Sequence, residues 1–148
     1  MPQGHRPHGL RVDKHGHGMV WTTGNSTIGK PDPASGRIVE FKTPSGRGGR
    51  HTPVITIEQS TAWFTLQSGD TVASRDSQTA TVREYESSSG PYGLSIDKAG
   101  HIGFCLMGDN KTGMLDPRTG QMSEVGSGRG SRPRRLATTS YWHVAGGL

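Results

Sequence analysis

A chain that repeats itself about every 42 residues has few ways to fold, because each unit must bury its apolar face against the next copy. Pro7-His8-Gly9-Leu10 returns as Pro91-Tyr92-Gly93-Leu94 and as Pro133-Arg134-Arg135-Leu136, with a looser copy at Arg50-His51-Thr52-Pro53. Trp21, Trp63 and Gly103 head matching segments, Asp32, Asp76 and Asp116 follow, and Glu40, Glu84 and Glu124 close each unit.

Within a unit, four short stretches rich in aromatic and β-branched residues read as strands. In the first unit these are 9–12, 19–22, 26–29 and 37–41; in the second, 53–56, 62–65, 71–74 and 80–85; in the third, 93–96, 101–104, 111–114 and 121–125. Between them lie turn sequences such as Asp97-Lys98-Ala99-Gly100 and Asp116-Pro117-Arg118-Thr119-Gly120. In such turns Asp bonds its own backbone, Pro presets φ and Gly takes the left-handed position. Four antiparallel strands per unit specify one propeller blade. The expected fold is all-β, a partial β-propeller spanning 1–148, with units at 6–48, 49–89 and 90–131 and a half unit at 132–148. Three and a half blades cannot close a ring, so a fragment of a larger protein, or self-association through uncovered blade faces, is expected.

Composition narrows the function classes. Hydrophobic residues make up 29% of the 148, and 23 glycines accompany them, as many short elements joined by turns require. No apolar run approaches the roughly 20 residues that span a bilayer. No apolar leader follows Met1, and the chain enters the first repeat abruptly, as if upstream repeats or a leader were missing; the compartment is left open, cytoplasmic if the chain is complete. Cys105 stands alone, so no internal disulfide forms. The net charge of +5 resides largely in linker arginines, among them Arg37, Arg47, Arg50, Arg129, Arg132, Arg134 and Arg135. Without an aromatic stacking platform these read as solvated loop charge, and no nucleic-acid partner is expected.

Arg6-Pro7-His8-Gly9-Leu10, Gly24-Asn25-Ser26-Thr27-Ile28-Gly29, Ala62-Trp63-Phe64-Thr65 and Gly90-Pro91-Tyr92-Gly93-Leu94 together resemble the virginiamycin B lyase (streptogramin lyase) family. The resemblance runs from residue 6 to about residue 140. It implies a ring of seven blades and a carbon–oxygen lyase, a route to antibiotic resistance that opens cyclic depsipeptide lactones by elimination. It also implies Mg2+ as cofactor. The chemistry asks for a base that titrates near neutrality, which suits histidine, and for localised positive charge against the developing enolate.

The family's functional histidines lie in the Pro-His motif of consecutive blades, and the matching positions here are His8 and His51. Either is the expected proton acceptor. His8, Tyr92 and Gln67 are the expected substrate contacts, with Arg134 on the same rim. The acidic partners depart from the family pattern. Thr23, Leu66 and Leu106 stand where a glutamate is expected after the second strand, and Arg6 and Arg50 precede the histidine positions. Arg, Leu and Gln do not make a Mg2+ site, so no metal ligands are assigned. Asp70 and Asp109 read as turn formers, Glu40, Glu84 and Glu124 as solvated strand ends, and Cys105 as a small core residue. A second function class stays open, a noncatalytic propeller module that binds peptide or protein ligands.

Overall fold

The structure, a computed structural model, describes residues 6–12, 18–23, 27–46, 56–58, 61–76, 78–138 and 145–147; for 6–10, 18–23, 56–58 and 145–147 it describes backbone alone. The chain is all-β. The first sheet is the meander β1 (Arg6–Val12), β2 (Gly18–Thr23), β3 (Thr27–Pro31) and β4 (Ile38–Lys42). The second is β5 (Thr56–Glu58), β6 (Thr61–Leu66), β7 (Thr71–Asp76) and β8 (Val82–Glu86). The third is β9 (Pro91–Ile96), β10 (Ile102–Leu106), β11 (Lys111–Leu115) and β12 (Met122–Gly126). A two-stranded sheet, β13 (Arg135–Ala137) with β14 (Ala145–Gly147), follows. First strands of successive sheets lie side by side, β1 by β5, β5 by β9 and β9 by β13, which is the radial arrangement of propeller blades. The sheets do not close into a ring.

The interior lies between blades. Residues of β6 alternate: Ala62, Phe64 and Leu66 join Ile28 and Ala73 against the first sheet, while Trp63 joins Val72, Leu94, Ile102 and Phe104 against the third. A middle strand buried on both faces loses the polar-out alternation of a one-sided sheet. Outer strands keep it, and β4 and β12 leave Val39 and Val125 exposed.

Register corrects one landmark. The second hairpin of each blade closes through a four-residue loop after Thr22, Leu66 and Leu106, which pair with Thr27, Thr71 and Lys111. Trp63 and Gly103 are therefore equivalent, but Trp21 stands where Thr65 and Cys105 stand, two residues further along. A shift of two keeps the same face, so the apolar echo survives while the aromatic marker slides. The positions one past those closing pairs are accordingly Thr23, which is still the last residue of β2, Gln67 and Met107. Leu66 and Leu106 are the buried last strand residues.

The third hairpin turns repeat in atomic detail. Asp32, Asp76 and Asp116 each accept backbone N–H bonds from residues two or three further on, and the fifth residue takes positive φ. That residue is Gly36 (φ 68°), Ala80 (φ 60°) and Gly120 (φ 74°). Only Ala80 has a Cβ to strain there. Ala80→Gly is expected to stabilise the protein by about 0.5–1 kcal/mol, the relief exceeding the added freedom of the unfolded chain. Chemical denaturation measures it, and a lower midpoint would contradict the expectation.

Candidate functional site

The Pro-x-Gly-Leu motif builds a bulge at the start of the innermost strand. In β1, Pro7 and Gly9 pair with the consecutive residues Thr22 and Trp21, leaving His8 as the extra residue. In β9, Leu94 pairs with Phe104 and Pro91 with Leu106, so Tyr92 and Gly93 together oppose Cys105. The two bulges fall in the same register of equivalent strands. Bulges twist a strand and re-aim the residue they carry, and they recur beside functional sites.

This end of the blades also holds the second hairpin turns and the linkers between sheets. Thr65 Oγ1 donates to the Tyr92 carbonyl at 2.8 Å, tying the bulge of the third blade to the end of β6. Gln67 opens the following 3-10 turn, Gln67–Gly69, half-buried. Tyr92 and Gln67 thus belong to one end of neighbouring blades. His8 shares that end by backbone register, while His51 lies outside the described residues. Arg134 is exposed beside β13.

The aspartates of this end are engaged. Asp70 sits at φ 50° and accepts the Gly90 N–H at 2.8 Å, while its carbonyl accepts the Ser87 N–H. Asn110 repeats the arrangement one blade on, at φ 54°, accepting the Arg132 N–H at 3.0 Å with its side chain and the Ser127 N–H with its carbonyl. Asp109 accepts the Ser89 N–H at 3.2 Å. The turn reading of Asp70 holds in its left-handed backbone, but its side chain also latches the linker to the next blade.

Glutamates form a second latch, which corrects their reading as solvated. Glu84 accepts the amide and hydroxyl of Ser45, and Glu124 accepts those of Ser88 together with the Lys111 ammonium at 3.1 Å. Serines in linker sequences carry no sequence signal for this role, because their partners lie 39 and 36 residues away. Partial burial disfavours the Glu124 carboxylate, yet the Ser88 and Lys111 bonds outweigh it and hold its pKa below the ordinary range. A depressed folded-state pKa contributes stability above the ordinary carboxylate pKa, and that stability is lost as pH falls through the folded value. Wild type is therefore expected to exceed Glu124→Gln by about 1 kcal/mol at pH 7 and to lose that advantage as pH falls below the ordinary carboxylate range, since bonds to charged groups are the stronger ones. Denaturation of both proteins across this range checks it; a pH-independent gap would refute the latch.

Two further groups settle differently. Burial pushes the Cys105 thiol up to about 11, partly offset by the Gly93 N–H, so it is an inert core residue. Arg75, on β7, is buried with its guanidinium 3.6 Å from the centre of the Phe41 ring. Composition placed arginine in linkers; this one packs between the first two blades by offering its face to an aromatic.

The lyase resemblance implies Mg2+, and the donors described at this end do not fit it. They are a carbonyl already bonded to Thr65, an amide side chain, aspartates bonded to linker amides and a lone exposed Glu86 on the outermost strand, whereas Mg2+ seeks several oxygen ligands converging on one point. Among the described residues no three His, Cys, Asp or Glu side chains converge on one point.

No protein-family model matches the chain, and no curated protein matches it. Solved structures do. A catalytically inactive virginiamycin B lyase from Staphylococcus aureus with quinupristin superposes at a TM-score of 0.83 and 22% identity, covering 95% of this chain and 48% of that one. A streptogramin B lyase structure matches at 0.79 and 23%, covering 89% and 44%. The β-propeller domain of Cps50 (Swd1) from Myceliophteria thermophila matches at 0.70 and 10%, covering 90% and 44%. The chain spans less than half the length of each. These likenesses show the fold, a β-propeller built as in the lyases, and they show the fold alone.

Proposed function

We propose that this chain is part of a virginiamycin B lyase-like propeller that receives a cyclic depsipeptide at the end of the blades carrying the bulges. His51 or His8 takes the proton α to a carbonyl. The C–H electron pair becomes a carbon–carbon double bond as the carbon–oxygen bond breaks and the carboxylate departs, with no water consumed. The observation that supports this reading is the recurrence of one bulge, in one register, at His8 and Tyr92. A neutral imidazole is the side chain suited to accept a proton near pH 7. Tyr92 and Gln67 would contact the ring of the substrate.

The test is incubation with a streptogramin B, with and without added Mg2+, followed by chromatography and mass spectrometry. Elimination yields a linear isomer of unchanged mass and altered retention; hydrolysis would add one water. His51→Ala and His8→Ala should each slow turnover by 10²-fold or more if that residue is the base. Absence of turnover above a no-protein control would sink the reading.

One observation favours a noncatalytic module instead. Asp70 and Asp109 are spent on linker amides, and Glu86, the exposed carboxylate of the same end, stands on the outermost strand β8, three strands from the innermost strand. Saturable depsipeptide or peptide binding without conversion would decide for the module.

A further inference from the structure

At the opposite end of the blades, where the first and third hairpin turns lie, the second and third sheets diverge and leave a cleft of about 640 Å3. That volume falls within the range of small-molecule sites. On its inner side half-buried Tyr85 of β8 covers the buried Trp63 of β6, their ring centres 5.9 Å apart and planes 29° from parallel. Half-buried Ile96 adds apolar surface, with Ile102 buried beneath it. The rim is cationic, with Arg83, Lys98 and Arg118 all exposed.

Two carboxylates also line the cleft, but both are occupied. Asp76 accepts the Gln78 and Thr79 amides at 2.7 and 2.8 Å, and Asp116 accepts the Arg118 amide at 2.9 Å and lies 3.5 Å from its guanidinium. Arg83 and Lys98 therefore share the cleft with Tyr85, with no carboxylate committed to them by a described ion pair. A polar, charged mouth over a partly open tyrosine ring selects a ligand that is flat at one end and anionic at the other.

We propose that this cleft binds a small aromatic carboxylate, its ring against Tyr85 and its charge toward Arg83 and Lys98. The site is independent of the lyase reading and lies at the other end of the blades from His8. Calorimetric titration of the full chain with 1-naphthoate and with neutral 1-naphthylmethanol tests it. Naphthoate is expected to bind at least tenfold more tightly at low salt. The double variant R83Q/K98Q should abolish most of that preference and leave the alcohol within twofold, whereas Arg129→Gln, an exposed linker substitution outside the cleft, should change neither. Equal affinity for the two probes, a preference surviving the double variant, or no naphthoate binding would each overturn the proposal.

Discussion

Gly93→Ala should cost about 2–3 kcal/mol and loosen β13 from the third blade, although it adds a single methyl group. A Cβ on Gly93 would sit well inside contact distance of the Arg134 carbonyl oxygen and 3.1 Å from the Arg135 Cα. Both are backbone atoms, so no rotamer change makes room. The innermost strands of the third sheet and of β13–β14 would have to part, and with them the Ser95–Thr138 bonds that join the same two sheets. Urea denaturation reads the loss, and hydrogen exchange locates it in β13. Gly126→Ala is the control: nothing lies within 4 Å of its added carbon, and its effect should stay within about 0.5 kcal/mol. A Gly93→Ala loss no larger than the control would refute the close approach.

Phe104→Ala should cost about 3–5 kcal/mol, the range for deleting a fully buried aromatic. Phe104 has no exposed surface, and its ring covers its cross-strand partner Gly113, where a Cβ would collide with it. The second blade solves the same position with Phe64 opposite Ala73, both buried. Gly113→Ala is therefore expected to cost about 1–3 kcal/mol by displacing the Phe104 ring. In a Phe104→Leu background the same change should cost less than half as much, because the smaller side chain frees the space. A double-mutant cycle measures that coupling. Additive losses would mean that Phe104 and Gly113 do not share one volume.

Most strands were legible because their signals are local. Val72-Ala73-Ser74 and Leu94-Ser95-Ile96 combine β-forming composition with flanking turn residues, and both lie in strands. Register was less legible. Tryptophan marks a repeating position by count along the chain, yet Trp21 and Trp63 occupy different places, because register is set by distance from the hairpin turn and not by side-chain identity. The candidate site was legible only in its motif. His8 and Tyr92 share a sequence context, but that this context makes a bulge depends on pairing with β2 and β10. Sequence assigned Glu124 to solvent because charge at a strand end is ordinarily solvated; Ser88 and Lys111 reach it through folding alone.

By itself, the chain's own periodicity determined the succession of antiparallel sheets, the four-strand make-up of the first three and the turns within them, since those depend on residues close along the backbone. The tertiary structure decided what stands between sheets: the linker latches of Asp70 and Glu124, the burial of Arg75 on Phe41, and the aromatic cleft at the far end. These depend on how far apart neighbouring sheets sit and how they fan out, a geometry set by volumes packed from two blades at once, which neither repeat carries alone.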